Sequence, residues 1–227
     1  MAFELMSHST AILLFSHSSS VEERLKWSIG NQYDLSVSNH LIKRAEQLCK
    51  QSGLDYFRSD ESTQVGETFG HKIAHAISEI FARGYQHLIV VGNDCPELRV
   101  SDLRKCDKKL QQGAQVLGPD RRGGVYLLGL QSATFDADVF ANLSWQQPQL
   151  HSQLSVLFQD AHSLRSLSDL NSIAELRDQI SCISGFRIWS VLRAALTAIS
   201  GLGSVFLFWT SAGGSHITYR RGPPVLS

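Results

Sequence analysis

Short, continuous runs of apolar residues alternate along this chain with longer stretches whose apolar residues recur every three to four positions. The continuous runs predict buried strands, namely AILLFS (11–16), HLIVVG (87–92), AQVLG (114–118) and VYLLGL (125–130), with LDYF (54–57) as a shorter candidate. The periodic stretches predict helices over 38–52, 67–84, 101–110, near 136–142 and 149–160, and from Ser172 onward. Ser101 is the expected N-cap of the third helix. Strands that alternate with helices at this spacing predict an α/β fold with a mostly parallel sheet flanked by helices.

The pattern changes after residue 182. A helix over 186–199 is followed by two strand patterns, 204–210 and 215–221, on either side of Ala212-Gly213-Gly214. This order predicts an antiparallel hairpin at a sheet edge or at a partner surface, where it could form a homodimer. We therefore expect a main domain over 1–182 and a C-terminal extension of helix and β-hairpin over 183–227.

Composition and charge narrow the class of protein. The 227 residues hold 21 Lys and Arg against 21 Asp and Glu, so the formal net charge is zero, and 43% are hydrophobic. An ordinary folded domain without a basic excess does not favour nucleic acid as a partner. The four cysteines form no C-x-x-C pair, which argues against a zinc knuckle and suits a reducing cytoplasm. The most membrane-like segment, 194–209, is shorter than the ~20 residues that a span needs, so we expect no membrane span.

The stretch VVGNDCPEL (90–98) places a carboxylate where a predicted strand ends. Asp94 follows the strand 87–92 by two residues, and open α/β sheets bind ligands at the carboxyl ends of their strands. A carboxylate there suits a hard cation such as Mg²⁺, which takes one or two carboxylates and the phosphate oxygens of a substrate. The alternative is that Asp94 only caps the turn before Pro96.

A second polar stretch, GPDRRGG (118–124), joins the last two predicted strands. Its paired glycines, Gly123 and Gly124, would let the backbone approach a ligand closely, and Arg121 and Arg122 would suit phosphate oxygens. The alternative is a surface loop with two solvated arginines.

Together these stretches resemble a bacterial family of unassigned function. The motifs are G-x-D-C-P-x-L, beginning at Gly92, and G-P-x-x-x-G-G-x-Y-L-x-G-L, beginning at Gly118. Further matches are TQVGETFGHKI through Gln64, Gly66, Gly70 and Lys72, LSWQQPQL through Trp145, and the late stretch LSDLNSIAEL. The family belongs to the GT-A superfamily of nucleotide-diphospho-sugar transferases and nucleotidyltransferases and is related to glycosyltransferases of the arsenosugar-biosynthesis type. The resemblance extends from about residue 10 to 180.

The resemblance implies a GT-A-like fold over 1–182 and a glycosyltransferase that uses a nucleotide-diphospho-sugar, or a closely related nucleotidyltransferase. A divalent cation, Mg²⁺ or Mn²⁺, would bridge the two phosphates of the donor. Asp94 would be the metal carboxylate and a catalytic residue, with Asp169 as the second catalytic candidate. The implied substrate-binding residues are Arg24, Lys72, Asn93, Asp120, Arg121, Arg122, Gly123, Gly124 and Trp145.

For three of these residues, an ordinary structural role is the alternative to a role in binding or catalysis. Trp145 would stack on an acceptor or a base, or would pack in the core. Asp169 would support the site of Asp94 or cap the helix that follows it. Lys72 would reach a phosphate or lie on a helix surface.

The sequence departs from the family pattern at three places. The family has aspartate directly before the paired glycines, where this chain has Arg122, and the second aspartate of the late element is Asn171 here. The phosphate loop near the N-terminus is replaced by SHSSSVEERL, with Arg24 as its one match. Two alternatives follow: arginine takes the place of the metal, with Asp120 partly restoring a carboxylate, or the chain is a non-catalytic nucleotide-binding homologue.

Overall fold

A computed structural model describes residues 9–18 and 32–170. Within these ranges we number the strands β1 to β6 and the α-helices α1 to α5. The strands are β1 (Thr10–Phe15), β2 (Asp55–Ser59), β3 (His87–Val91), β4 (Val116–Pro119), β5 (Val125–Gln131) and β6 (His162–Ser163). The helices are α1 (Gln32–Ser52), α2 (Phe69–Ala82), α3 (Val100–Gln111), α4 (Ala137–Ala141) and α5 (Leu150–Leu157), with a 3₁₀ turn at Ser132–Thr134.

The strands form one six-stranded sheet in the order β2-β1-β3-β5-β4-β6. β1 pairs in parallel with both β2 and β3, and β4 pairs in parallel with β6. β5 is antiparallel to its neighbours β3 and β4. Leu14 of β1 lies beside Val91 of β3, so the two strands end together. The backbone that leaves β1 and the backbone that leaves β3 are therefore adjacent at one edge of the sheet.

Both faces of the sheet are buried, which explains why the strands are continuous apolar runs. On one face, Ile12 and Leu14 pack with residues of α1 and α3. On the other face, Leu13 and Phe15 pack with residues of α2, α4 and α5. The architecture is a three-layer α/β/α arrangement, and the predicted fold class is confirmed.

The predicted strands and helices of this region are present, with shifted ends. Helix α1 begins at Gln32 rather than at residue 38. The predicted cap at Ser101 is wrong: α3 begins at Val100 with Arg99 as N-cap. Asp102 explains the shift, because its carboxylate accepts a hydrogen bond from the backbone N–H of Arg99 at 2.9 Å. A carboxylate in the first turn is also favoured by the helix dipole.

Several predictions lie outside the described residues. They are the boundary near residue 182, the helix from Ser172, the helix over 186–199, the C-terminal hairpin and the segment 194–209. Within 9–18 and 32–170, no helix is long and apolar enough to cross a membrane.

Candidate functional site

A pocket of about 660 Å³ opens at the carboxyl ends of β1 and β3. One side is formed by the backbone that follows these strands, and the facing side by the β4–β5 turn and by the loop before α5. The polar or charged residues that line it are Ser16, His17, Asn93, Asp94, Asp120, Arg122, Gln146, Gln147 and Asp169. Its apolar lining includes Phe15, Phe69, Trp145 and Pro148.

Most of the residues singled out from the sequence lie in this pocket. Those that line it are Asn93, Asp94, Asp120, Arg122, Gly124, Trp145 and Asp169. Lys72, Arg121 and Gly123 are not among the lining residues. Arg24 lies outside the described part of the chain. The paired central motifs thus come together, although residues 99–117 separate them along the chain.

The loop that carries Asp94 is fixed by two arginines. The guanidinium of Arg44, on α1, donates to the carbonyl oxygen of Pro96 from Nε at 3.1 Å and from Nη2 at 2.8 Å, and to that of Leu98 at 2.9 Å. Burial lowers the pKa of Arg44. Arg165 donates to the carbonyl oxygen of Glu97 at 2.7 Å. The loop is therefore held from two directions and positions Asp94 on a rigid support.

Arg165 is itself held by a carboxylate of α3. It forms an ion pair with Asp102, with Nη2 at 2.9 Å from Oδ2 and Nε at 3.2 Å from Oδ1. The hydrogen bonds that Arg165 donates to Asp102 are the main reason that the pKa of Arg165 is raised. The same Asp102 caps α3 through Arg99. One buried carboxylate thus links the start of α3 to the loop that carries Asp94.

The segment 167–170 connects the two central motifs. The backbone N–H of Leu170 donates to the carbonyl oxygen of Asp94 at 2.7 Å. The backbone N–H of Arg121 donates to the carbonyl oxygen of Leu167 at 3.0 Å. These two hydrogen bonds bring Asp169 into the pocket between Asp94 and the β4–β5 turn.

The buried thiol of Cys95 is a packing group. It lies in the core at 6% exposure, and burial is the main cause that raises its pKa well above the usual value. The charges of Asp169 and Asp94 raise the pKa of this thiol further. A protonated, enclosed thiol does not act as a nucleophile.

Arg122 and Asp120 form a charged pair in the β4–β5 turn. The backbone N–H of Arg122 donates to Oδ1 of Asp120 at 2.6 Å, and Nε lies 3.9 Å from the same oxygen. Nη2 of Arg122 reaches the carbonyl oxygen of Asp169 at 3.3 Å. The side chain of Asp120 is 9% exposed and that of Arg122 is 46% exposed. The guanidinium is therefore the part of this pair that an incoming ligand meets.

The paired glycines serve two different contacts. Gly123 has φ +90°, and a Cβ there would lie 2.1 Å from the carbonyl oxygen of Pro148. Its own carbonyl oxygen accepts the backbone N–H of His151 at 2.9 Å. At Gly124, a Cβ would lie 2.8 Å from Oδ2 of Asp120. The first glycine joins the turn to the loop before α5, and the second leaves room for a carboxylate.

Trp145 has a structural contact and also faces the pocket. Its Nε1 donates to the carbonyl oxygen of Phe140 at 2.7 Å, and its ring lies against Phe69 and Phe140 at centroid distances of 5.5 and 5.6 Å. The ring is half-buried and lines the pocket. Trp145 therefore packs against neighbouring aromatic rings and also presents part of its own ring to the pocket.

Two residues that directly follow β1, at the start of the stretch SHSSSVEERL, were not singled out from the sequence. Ser16 and His17 line the pocket, and neither Oγ of Ser16 nor Nδ1 of His17, both buried, has a hydrogen-bond partner among the described residues. The carbonyl oxygen of Ser16 accepts a hydrogen bond from Nε2 of Gln64 at 3.1 Å, which fixes the exit from β1. The rule that pointed to Asp94, a polar residue at the carboxyl end of a buried strand, would have found Ser16 and His17.

The donor set for a metal is small. Within residues 9–18 and 32–170, no group of three or more His, Cys, Asp or Glu side chains is placed to hold a metal ion. Asp94 and Asp169 both line the pocket and are hard oxygen donors of the kind that Mg²⁺ and Mn²⁺ accept. The described residues thus fit a cation that shares its coordination with phosphate oxygens and water.

Comparison with known proteins agrees with this fold. Residues 43–147 match the family model "Uncharacterized protein conserved in bacteria (DUF2064)". No curated protein sequence matches the chain. The crystal structure of a "putative nucleotide-diphospho-sugar transferase" from Desulfovibrio desulfuricans G20 superposes with a TM-score of 0.72 at 20% identity, covering 85% of this chain and 97% of that one. A likeness at this identity shows the fold.

Two further solved structures are more distant. Rv0371C from Mycobacterium tuberculosis H37Rv, solved as a complex with manganese, has a TM-score of 0.41 at 12% identity and covers 77% of this chain and 98% of that one. CMP:2-keto-3-deoxy-manno-octonic acid synthetase, solved with CTP, has a TM-score of 0.37 at 10% identity, covering 74% and 96%. Residues 43–147 are therefore similar to the bacterial family DUF2064, and the chain has the fold of the putative nucleotide-diphospho-sugar transferase described above.

Proposed function

We propose that this protein is a glycosyltransferase that uses a nucleotide-diphospho-sugar donor, or a closely related nucleotidyltransferase. The observation that carries the proposal is the convergence of Asp94, Asp169 and Arg122 on one pocket at the carboxyl ends of the strands. This edge of an open α/β sheet is where such folds bind nucleotides. The fold shared with a putative nucleotide-diphospho-sugar transferase supports the same class of activity.

The size and chemistry of the pocket support a polar ligand of nucleotide-sugar type. A volume of about 660 Å³ lies within the range of small-molecule sites, roughly 300–1,000 Å³. Ser16 Oγ and His17 Nδ1 have no hydrogen-bond partner among the described residues, and a buried polar atom without a partner is costly. A ligand with hydroxyl or heterocyclic groups would satisfy them. Trp145 and Phe69 offer aromatic surface beside them.

A divalent cation would be held by Asp94 together with phosphate oxygens of the donor. Bound there with the diphosphate, it would neutralise charge on the leaving group. Arg44 and Arg165 support this role indirectly, since they hold the loop that positions Asp94. Leu170 supports it as well, through its hydrogen bond to the Asp94 carbonyl oxygen.

In the proposed transfer, a hydroxyl group of the acceptor attacks the anomeric carbon of the donor sugar. The bond from that carbon to the diphosphate oxygen breaks, and the nucleoside diphosphate leaves with the electron pair. Asp169, on the acceptor side, takes the proton of the attacking hydroxyl. Trp145 orients the acceptor through its exposed ring surface.

A non-catalytic nucleotide-binding protein is the second candidate. Arg122 favours it, because a guanidinium stands where the family pattern has a carboxylate, and it forms an ion pair with Asp120. Such a site would bind a nucleotide without supporting metal-dependent transfer. The hairpin predicted near the C-terminus would then be its surface for a partner copy.

The test is release of nucleoside diphosphate from UDP-glucose, ADP-glucose, CDP-glucose and GDP-mannose, with MnCl₂, with MgCl₂ and with EDTA. We expect turnover of at least one donor in the wild type, a loss of 100-fold or more in Asp94→Asn, and little change in Asp160→Asn. Asp160 is an exposed aspartate that does not line the pocket, and it controls for loss of a carboxylate. Nucleotide binding without any turnover would favour the second candidate.

A further inference from the structure

Arg122 is the one lysine or arginine that lines the pocket among the residues that the structure describes. Its neighbour Arg121 is exposed but is not among the lining residues. The two arginines therefore differ in their access to a ligand, although they are adjacent in sequence and belong to the same turn.

The backbone of Arg122 is fixed in a closed turn. The N–H of Asp120 donates to the carbonyl oxygen of Gly124 at 3.0 Å, and the N–H of Gly123 donates to that of Asp120 at 3.3 Å. The Asp120 carboxylate accepts the backbone N–H of Arg122 at 2.6 Å. The guanidinium extends from this rigid turn between Asp120 and the Asp169 carbonyl oxygen.

The charges of the pocket create a need for a cation. Its described lining holds three carboxylates, those of Asp94, Asp120 and Asp169, against the guanidinium of Arg122. A bare diphosphate would be repelled by Asp94 and Asp169 unless positive charge lies between them and the phosphates. The guanidinium of Arg122 is placed to supply part of this positive charge, and its planar fork matches two phosphate oxygens.

We propose that Arg122 binds the diphosphate of the ligand directly, so that part of the binding persists without a divalent cation. This inference rests on the proposed function, since it assigns the phosphate contact within the same pocket. On binding, the guanidinium exchanges its contacts with Asp120 and with the Asp169 carbonyl oxygen for phosphate oxygens. Asp120 remains bonded to the backbone N–H of Arg122 and keeps the turn closed.

The test is calorimetric titration of the full chain with pyrophosphate, ADP, CDP, GDP and UDP, each in EDTA and in MgCl₂. We expect the wild type to bind at least one probe in EDTA. Arg122→Ala should weaken that binding about ten- to a hundredfold, the usual range for loss of charge-assisted hydrogen bonds. Arg121→Ala is the matched control, with an expected change below about twofold.

A double variant separates a phosphate contact from simple neutralisation of Asp120. If Arg122 only offsets the charge of Asp120, the variant Asp120→Asn/Arg122→Ala will regain wild-type affinity. If Arg122 contacts phosphate, the double variant will stay as weak as Arg122→Ala. Regained affinity, wild-type binding only with Mg²⁺, or equal effects of the two arginine variants would overturn the inference and leave the proposed function standing. Failure of all probes to bind the wild type, with or without Mg²⁺, would contradict the proposed function itself.

Discussion

At the scale of single residues, Gly123 shows how a turn beside the pocket depends on the absence of a side chain. Its φ of +90° is matched by Gly113, at φ +87° after α3. A Cβ at Gly123 would meet the carbonyl oxygen of Pro148 at 2.1 Å, whereas at Gly113 it would meet nothing within 4 Å. The two glycines share a backbone conformation and differ in their surroundings.

We predict that Gly113→Ala costs about 1 kcal/mol of unfolding free energy, the strain of an L-residue in the left-handed region. Gly123→Ala should cost roughly 1–3 kcal/mol more, because the backbone of Pro148 must also move. Urea denaturation of both variants and the wild type measures the difference. Equal losses would show that the close approach of Pro148 is not a real constraint.

The position of a residue along the chain was enough to predict some of the pocket residues, but it was not enough to predict their contacts. Asp94 could be predicted because a polar residue at the end of a buried strand faces the ligand edge of the sheet. The different access of Arg121 and Arg122 to the pocket could not be predicted, because it depends on the direction in which each side chain leaves a closed turn. The packing of Trp145 against Phe69 likewise joins residues distant in sequence.

At the scale of secondary-structure elements, the loop between β3 and α3 is held by side chains from elsewhere. Arg44 of α1 donates three hydrogen bonds to its carbonyl oxygens. Arg104 offers a comparison, because it joins α3 to α1. It is exposed and donates one hydrogen bond, to the carbonyl oxygen of Gln51 in α1 at 3.0 Å. Because Asp94 belongs to the held loop, Arg44 should affect ligand binding as well as stability.

We predict that Arg44→Met costs about 2–4 kcal/mol of unfolding free energy, because buried carbonyl oxygens of Pro96 and Leu98 lose a charged donor. It should also weaken binding of a nucleotide probe by tenfold or more. Arg104→Met, which removes the same charge, should cost less than about 1 kcal/mol and leave the affinity unchanged. Thermal unfolding and titration of both variants provide the comparison, and equal effects on affinity would argue against a positioning role for Arg44.

The elements themselves were largely predictable because each has a clear periodicity. The buried strands β1, β3 and β5 are unbroken apolar runs, and α2 has an apolar stripe with a Thr68 cap. The start of α3 was placed wrongly because Asp102 caps the backbone of Arg99, three residues earlier. A cap supplied by the Asp102 carboxylate competes with one from the Ser101 hydroxyl, and sequence alone does not rank the two.

At the scale of the whole molecule, two histidines make stability depend on pH. Burial lowers the pKa of His87, at the start of β3, although Asp107 opposes the shift. Burial also lowers the pKa of His162 in β6, and Lys105 and Lys109 lower it further. A histidine whose folded pKa lies below the unfolded value of 6.5 stabilises the fold above that pH. That contribution is lost as the pH falls below 6.5 through the folded pKa.

We predict that the melting temperature falls between pH 7.5 and pH 5.5, and that the double variant His87→Gln/His162→Gln shows a smaller fall. His75→Gln, at an exposed position on α2, should leave the slope as in the wild type. Scanning calorimetry at half-unit pH intervals measures the three slopes. A double variant with the wild-type slope would assign the pH dependence to other groups.

The proposed function depends on one binding event, that of a nucleotide-diphospho-sugar in the pocket beside Asp94. Its most direct test is thermal melting of the wild type, Asp94→Asn and Asp160→Asn with UDP-glucose, ADP-glucose, CDP-glucose and GDP-mannose, each with MnCl₂. At about 100 times the dissociation constant a ligand stabilises the fold by roughly 2.7 kcal/mol, which shifts the melting temperature by several degrees. We expect such a shift for at least one donor in the wild type and in Asp160→Asn, and a much smaller shift in Asp94→Asn. No shift with any donor, or an equal shift in all three proteins, would contradict the proposed function.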